Sequence, residues 1–283
     1  MAGSEGSAAF AEGVPCWVDA QLPDVEAGRR FYGGLFGWTF EPFGHFDPSA
    51  GAVRALLDGE PVAALVPKQD GRMPTVWTVY FATPDAQDMA DRIRKAGGQI
   101  VTTPVAVGPY GTAALAADPE GAVFGLWEAG THPGFGHRTG GTGGTDRSGA
   151  TGRTGAFDWV ELYARDTAVA EAFYPGLFRD ALFGPGATRE FGRAHISDVF
   201  PAEMPPHFLV HFGVRDCEAL LGTVTRLGGR VRVPAFETSY GRVAVVSDDQ
   251  GASFALFERR DGDRDGGRHA RPDPGRDADP DPV

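Results

Sequence analysis

The sequence predicts an α+β fold of two tandem domains, each built from a pair of βαβββ modules. Three observations carry this. The two halves on either side of a glycine-rich stretch repeat each other. Each module opens with an alternating strand, then an acidic residue and an amphipathic helix. After each helix come short strands punctuated by glycine and proline.

The repeat is read directly. "VPCWVDAQLPDVEAGRRFYGGLFGW" returns as "AFDWVELYARDTAVAEAFYPGLFRD", and "AGGQIVTTPVAVGPYGTAALAADPEGAVFGLWE" returns as "LGGRVRVPAFETSYGRVAVVSDDQGASFALFE". Gly-Gly, Tyr-Gly and the closing Glu stay in step, as a duplication requires. Asp24 and Asp85 are placed to cap helices whose apolar residues (Phe31, Tyr32, Leu35 and Phe36; Met89 and Ile93) fall on one side. Gly97-Gly98 and Gly228-Gly229 are expected to stop the second helix of each half in the left-handed conformation.

The expected organisation is a flexible N-terminus over 1–12, a first domain over 13–129, a linker over 130–155, a second domain over 156–260 and a disordered tail over 261–283. The linker run "GTHPGFGHRTGGTGGTDRSGATGRTG" has too little apolar surface to offset chain entropy. The tail, with His269, is charged, proline-rich and aperiodic.

With 283 residues and 42% hydrophobic content, the chain has enough apolar surface for two cores. A net charge of -12 without a basic stripe argues against nucleic acid as a partner. The opening "MAGSEGSAAFAEG" has no basic leader, and no stretch approaches the roughly 18 apolar residues of a membrane span, so a cytoplasmic protein with no membrane partner is expected. Cys16 and Cys217 fall outside metal or disulfide spacing and read as ordinary thiols.

Period-two alternation then divides each strand between two faces. In the opening strand Cys16, Val18, Ala20 and Leu22 form the apolar set under the helix, leaving Trp17, Asp19 and Gln21 opposite. The repeat gives Val160, Leu162 and Ala164 against Trp159, Glu161 and Tyr163. In the strand opening the second module, Trp77, Val79 and Phe81 oppose Thr78 and Tyr80, and in the repeat Phe208, Val210 and Phe212 oppose Leu209 and His211. In the last strand Phe124 and Leu126 oppose Val123, Gly125 and Trp127, while Phe254 and Leu256 oppose Ser253, Ala255 and Phe257. All of the unusual chemistry lies on the far faces.

The "FY..LFGW"-like helices (Phe31-Tyr32 to Trp38, Phe173-Tyr174 to Phe178), the Gly-Gly stops and the "DPEG" turn before the last strand together resemble the vicinal oxygen chelate superfamily, which includes glyoxalases, bleomycin-resistance proteins and extradiol dioxygenases. The resemblance covers nearly the whole chain outside linker and tail. It implies that each domain curls its paired modules into a cup-shaped mixed sheet that holds the ligand. It also implies metal positions: His or Glu on the opening strands and Glu in the middle of the last. Those positions hold Trp17, Thr78 and Gly125 in the first half and Trp159, Leu209 and Ala255 in the second, none suited to ligate a metal. No metal and no cofactor is therefore expected, and Gly125 and Ala255 are expected to leave space for a bulkier guest. Glu128 and Glu258 fall on the core-side register, where a solvated or capping role fits.

Glu161 and His211 lie two residues past the family's ligand positions, roughly 7 Å along the strand. A displaced metal site would need a third ligand, for which Ser253 and Phe257 are poor; the first half offers only Asp19 with Tyr80. Glu161 and His211 are instead the candidate acid/base pair. Trp17, Tyr80, Trp127, Trp159, Tyr163 and Phe257 would line the cups and stack on a flat conjugated ligand. Asp19 and Glu161 occupy repeated positions there, Gln21 shares the face, Tyr110 and Tyr240 sit in tight "PYG" and "SYG" bends near the rim, and Arg242 faces inward by alternation. Two readings follow: a metal-free protein binding a small aromatic or polycyclic molecule, for antibiotic sequestration or as an auxiliary in secondary metabolism; or a metal-independent lyase or isomerase using Glu161 and His211. A metal-dependent glyoxalase or dioxygenase ranks behind both. The fused halves suit a monomer that contains its own pseudo-dimer, or a homodimer.

Overall fold

A computed structural model describes residues 10–43, 51–68, 70–71, 74–136, 154–178, 182, 191–201 and 203–259. The first half runs β1 (Pro15–Leu22), α1 (Val25–Phe36), β2 (Thr39–Pro42), β3 (Val53–Leu57), β4 (Glu60–Pro67), β5 (Trp77–Ala82), α2 (Ala86–Lys95), β6 (Gln99–Val107), β7 (Gly111–Ala117) and β8 (Val123–Ala129). The second runs β9 (Phe157–Ala164), α3 (Thr167–Phe178), β10 (Phe191–His195), β11 (His207–Gly213), α4 (Cys217–Arg226), β12 (Arg230–Glu237), β13 (Gly241–Ser247) and β14 (Ser253–Arg259). The chain is α+β, with one mixed sheet per half.

The first sheet has the order β2-β3-β4-β1-β5-β8-β7-β6. At its centre β1 runs parallel to β4 and antiparallel to β5, which runs parallel to β8. Each module thus contributes a parallel pair, and the two modules meet at β1 and β5. The second sheet repeats this with β10-β9-β11-β14-β13-β12. Of the three strands expected after α3, β10 lies within the described residues. The expected tail, and the linker from residue 137 to residue 153, lie outside them.

Helix ends follow the local chemistry. The Asp24 and Asp85 carboxylates accept from Ala27 N at 2.9 Å and Asp88 N at 2.8 Å, satisfying first-turn amides that have no helical partner. Glu128 and Glu258, reaching back from the ends of β8 and β14, accept from Ala86 N and Cys217 N, both at 2.9 Å, and so cap α2 and α4. Gly97 and Gly228 stop those helices at φ values of 92° and 93°, a region costly for side chains other than glycine.

The motifs that carried the family resemblance join the two halves. Tyr32 of α1 donates to Asp248 at 2.9 Å, in the turn between β13 and β14; Tyr174 of α3 donates to Asp118 at 3.0 Å, in the matching turn of the first half. The third residue of each turn reaches the backbone N–H before the opposite helix: Gln250 accepts from Asp24 N at 2.7 Å, Glu120 from Asp166 N at 3.2 Å. A Cβ on Gly229 would come within 2.9 Å of the Phe31 ring, and one on Gly98 within 2.9 Å of the Phe173 ring. Each Phe-Tyr pair therefore seats on the other half's Gly-Gly stop and acidic turn, with Phe31, Tyr32, Phe173 and Tyr174 all in the main core. Burial raises the carboxyls of both turn aspartates above their ordinary range, and the tyrosine bonds oppose the shift.

Two stretches expected to be flexible carry packed residues. Gly130–Gly136 folds back as a strap: Phe135 N bonds Cys16 O at 2.9 Å, Gly136 N bonds Pro61 O at 2.8 Å, and the Phe135 ring stacks on Phe157 at 4.7 Å. At the N-terminus Phe10 packs edge-on to Phe135, and Glu12 pairs with Arg92 at 2.6 Å. The glycines diluted the signal; two aromatic anchors in a short run were enough. No helix among the described residues is long and apolar enough to cross a membrane.

Candidate functional site

Alternation places the side chains of β1, β5 and β8 as the sequence requires. Cys16, Val18, Ala20 and Leu22 are fully buried in the core, and Trp17, Asp19, Tyr80 and Trp127 point to the concave side. There they wall a cavity of about 300 Å³, completed by Phe43, Ala64, Val66, Val107, Tyr110 and Ala113. That is the lower end of the range for small-molecule sites. Trp17 stacks on Phe43 at 6.4 Å and Phe43 on Tyr110 at 5.3 Å, so three parallel ring faces form one side.

A single carboxyl interrupts this apolar wall. Asp19 is 9% exposed; its Oδ2 accepts from the Tyr80 hydroxyl at 2.7 Å, and its Oδ1 is sealed from solvent without a hydrogen-bond partner. Burial raises its pKa to about 7, against the lowering effect of the Tyr80 bond. Burial together with the neighbouring Asp19 carboxyl pushes the Tyr80 phenol well above its ordinary value. Asp19 thus changes charge near neutrality while Tyr80 stays protonated.

The strap supplies a residue that sequence reasoning missed. His132 packs edge-on against Trp17 at 4.5 Å, and its carbonyl accepts from Trp127 Nε1 at 2.9 Å. Burial lowers the imidazole to about 4, with help from the Arg54 charge, so the ring is neutral, and its Nε2 has no partner. The signal available was "HPGF", a His and an aromatic standing alone in a glycine-rich run.

Several expectations need correction. The space above Gly125 is filled: a Cβ there would lie 2.2 Å from the Tyr80 ring, so the glycine makes room for the protein's own tyrosine rather than for a guest. Gln21 is half-buried at the end of β1 and does not line the cavity. Arg242 does not face inward. The cup side of β13 belongs to Val243 and Val245, so Arg242 has the opposite parity, and it pairs with Glu237 at the surface at 2.9 Å.

In the second half the side chains of the corresponding face are buried together. Tyr163, Leu209, Val243, Val245, Ala255 and Phe257 pack with Ile196 and Phe200 in one buried cluster. Trp159 stacks on Phe257 at 6.3 Å and tilts against Tyr240 at 5.8 Å. Glu161 accepts from Tyr163 at 3.1 Å. The expected Glu161–His211 pair does not form: His211 stands opposite Trp159 across the strands, its Nδ1 donates to Leu209 O at 3.0 Å, and its Nε2 has no partner. Burial lowers His211 to about 3, leaving it a neutral core imidazole. Ala255 is fully buried.

Comparison with known proteins fits this geometry. Residues 17–126 match the Glyoxalase/Bleomycin resistance protein/Dioxygenase superfamily. The chain is 34% identical over 280 residues to anthracycline biosynthesis protein DnrV of Streptomyces peucetius, covering 89% of this chain and 96% of that one. It is 35% identical to anthracycline biosynthesis protein DauV of Streptomyces sp. (strain C5), covering 89% and 95%. The chain belongs to the vicinal oxygen chelate superfamily. The Mn(II)-bound glyoxalase from Novosphingobium aromaticivorans shares the fold with a TM-score of 0.54 at 12% identity, over 88% of this chain and 84% of that one.

Metal-dependent members of the superfamily imply a divalent ion, and the donor set does not fit one. The matching positions hold Trp17, Thr78 and Gly125, then Trp159, Leu209 and Ala255. No group of three His, Cys, Asp or Glu side chains converges on a point among the described residues, and Tyr80 occupies the volume above Gly125. Both cysteines are buried, and burial pushes the Cys217 thiol up to about 12, away from a thiolate.

Proposed function

We propose that the first cup binds a small planar aromatic or polycyclic molecule without a metal ion, in an auxiliary role in secondary metabolism. The cavity carries this reading: an apolar, ring-walled volume of about 300 Å³ with a single buried carboxyl. Stacked rings offer flat surfaces to a conjugated ligand, and each ring pair formed adds about 0.5–1.5 kcal/mol beyond area burial. Similarity to two proteins named for anthracycline biosynthesis, along nearly the whole chain, supports a polycyclic guest.

Titrating the protein with 2-hydroxyanthraquinone tests this through indole fluorescence. Trp17 and Trp127 line the cavity, so saturable quenching is expected, and it should disappear when Ala113→Trp fills the cavity. Quenching that survives Ala113→Trp would place the probe elsewhere and end the proposal.

A further inference from the structure

The Asp19 carboxyl is half satisfied. One oxygen is held by Tyr80 at 2.7 Å, and the other is buried in the cavity wall with no partner. An unmet buried acceptor costs free energy that a donor of the right geometry would restore. We propose that the molecule held in the first cup presents a hydrogen-bond donor, a phenolic hydroxyl or a protonated amine, to Asp19. The inference rests on the cup being a binding site and adds which chemical group it selects.

The surroundings leave this task to the ligand. Across β1 from Asp19 stand Thr78 on β5 and Ala64 on β4, and neither is hydrogen-bonded to Oδ1. Of the titratable groups nearby, the Tyr80 proton is already given to Oδ2, and His132 on the strap is held neutral by burial. Arg54 on β3 pairs with Glu41 and lies over the Phe43 ring at 5.9 Å. Trp127 Nε1 is committed to the His132 carbonyl. No cation of the described residues pairs with the Asp19 carboxyl, so an anionic ligand group is disfavoured and a cationic or neutral donor is favoured.

Three probes of one shape separate the possibilities: 2-naphthol (neutral donor), 2-naphthylmethylamine (cationic donor) and 2-methoxynaphthalene (no donor), each titrated calorimetrically. The donors are expected to bind about tenfold more tightly than the methyl ether, the worth of one hydrogen bond to a charged group. Asp19→Ala should remove the differences among the three probes, with an unchanged far-ultraviolet circular dichroism spectrum showing that the fold is kept. An advantage for 2-naphthol that persists in Asp19→Asn identifies a neutral donor. An amine advantage that grows as pH rises through about 7 and is lost in Asp19→Asn identifies a cation. Equal affinities in the wild-type protein, or a donor advantage that survives Asp19→Ala, would overturn the inference. Failure of all three to bind would remove the cup itself as a site.

Discussion

In the first half the concave face of the sheet surrounds a cavity of about 300 Å³ walled by Trp17, Tyr80 and Trp127; in the second, Phe257 and its neighbours on that face pack into a buried cluster. The two faces differ at several matched positions. Ala113, which lines the cavity, corresponds to Val243 in the repeat; Gly125 corresponds to Ala255; and Tyr80 corresponds to His211. The segment after β10 also lays Ile196 and Phe200 onto the second face. Val243 and Ala255 thus add methyl groups to the second face, while His211 and Phe257 are smaller than the Tyr80 and Trp127 they match. Duplication preserves the scaffold, and the side chains on this face differ between the copies.

The largest effect should come from hollowing out the closed cup. Phe257→Ala removes a buried ring and is expected to cost about 3–5 kcal/mol in urea denaturation. In the first half Phe43→Ala trims a ring that already borders empty space, so a cost below about 1.5 kcal/mol with weakened probe binding is expected. Equal costs would erase the distinction between the cups.

Next is Gly125→Ala. Its new Cβ would meet the Tyr80 ring at 2.2 Å and drive the tyrosine off Asp19. A loss of about 2–3 kcal/mol is expected, along with changed discrimination between 2-naphthol and its methyl ether. Ala255→Gly, at the matching place in the packed cup, should cost about 1 kcal/mol. A neutral Gly125→Ala would mean the tyrosine does not need that space.

Asp19 gives the first half a pH signature. Its folded-state pKa of about 7 lies above the ordinary carboxyl value of 3.8, so the folded chain holds the extra proton between those values. Its contribution therefore falls as pH rises through that window and levels off above it. Asp19→Asn should accordingly raise Tm more at about pH 8 than at about pH 4. An equal gain at both would show that the carboxyl is not perturbed.

The smallest effects should come from the contacts between the halves. Tyr32→Phe and Tyr174→Phe each remove one bond between the halves, to Asp248 and Asp118 respectively. Tyr174→Phe is expected to cost about 1 kcal/mol in the same denaturation assay and Tyr32→Phe about 2 kcal/mol, because the Tyr32 hydroxyl also accepts from Trp77 Nε1 at 2.9 Å. A larger inequality would show that the halves are joined mainly by one side.

Much of this was legible in the sequence. The module order, the Asp caps at 24 and 85, the glycine stops and the parity of Trp17, Asp19, Tyr80 and Trp127 follow from local periodicity and capping, which read neighbours along the chain. What depends on distant packing was not. Gly125 and Ala255 read as vacancies because the alternation says which way a side chain points, not which neighbour leans over it. Glu161 and His211 share a face but sit diagonally, and only the register Glu161–Leu209 and Trp159–His211 reveals that they do not bond. His132 was hidden by composition, since glycine-rich segments look unstructured even when two rings pin them. Arg242 was misplaced by one residue of parity, the smallest error a strand allows and one that reverses the face.

Binding stoichiometry, measured calorimetrically with 2-naphthol, bears most directly on the claim that only the first cup is receptive. One site per chain is expected, abolished by Ala113→Trp in the first cup and retained in Val243→Ala in the second. Two sites per chain, or a single site indifferent to Ala113→Trp, would contradict it.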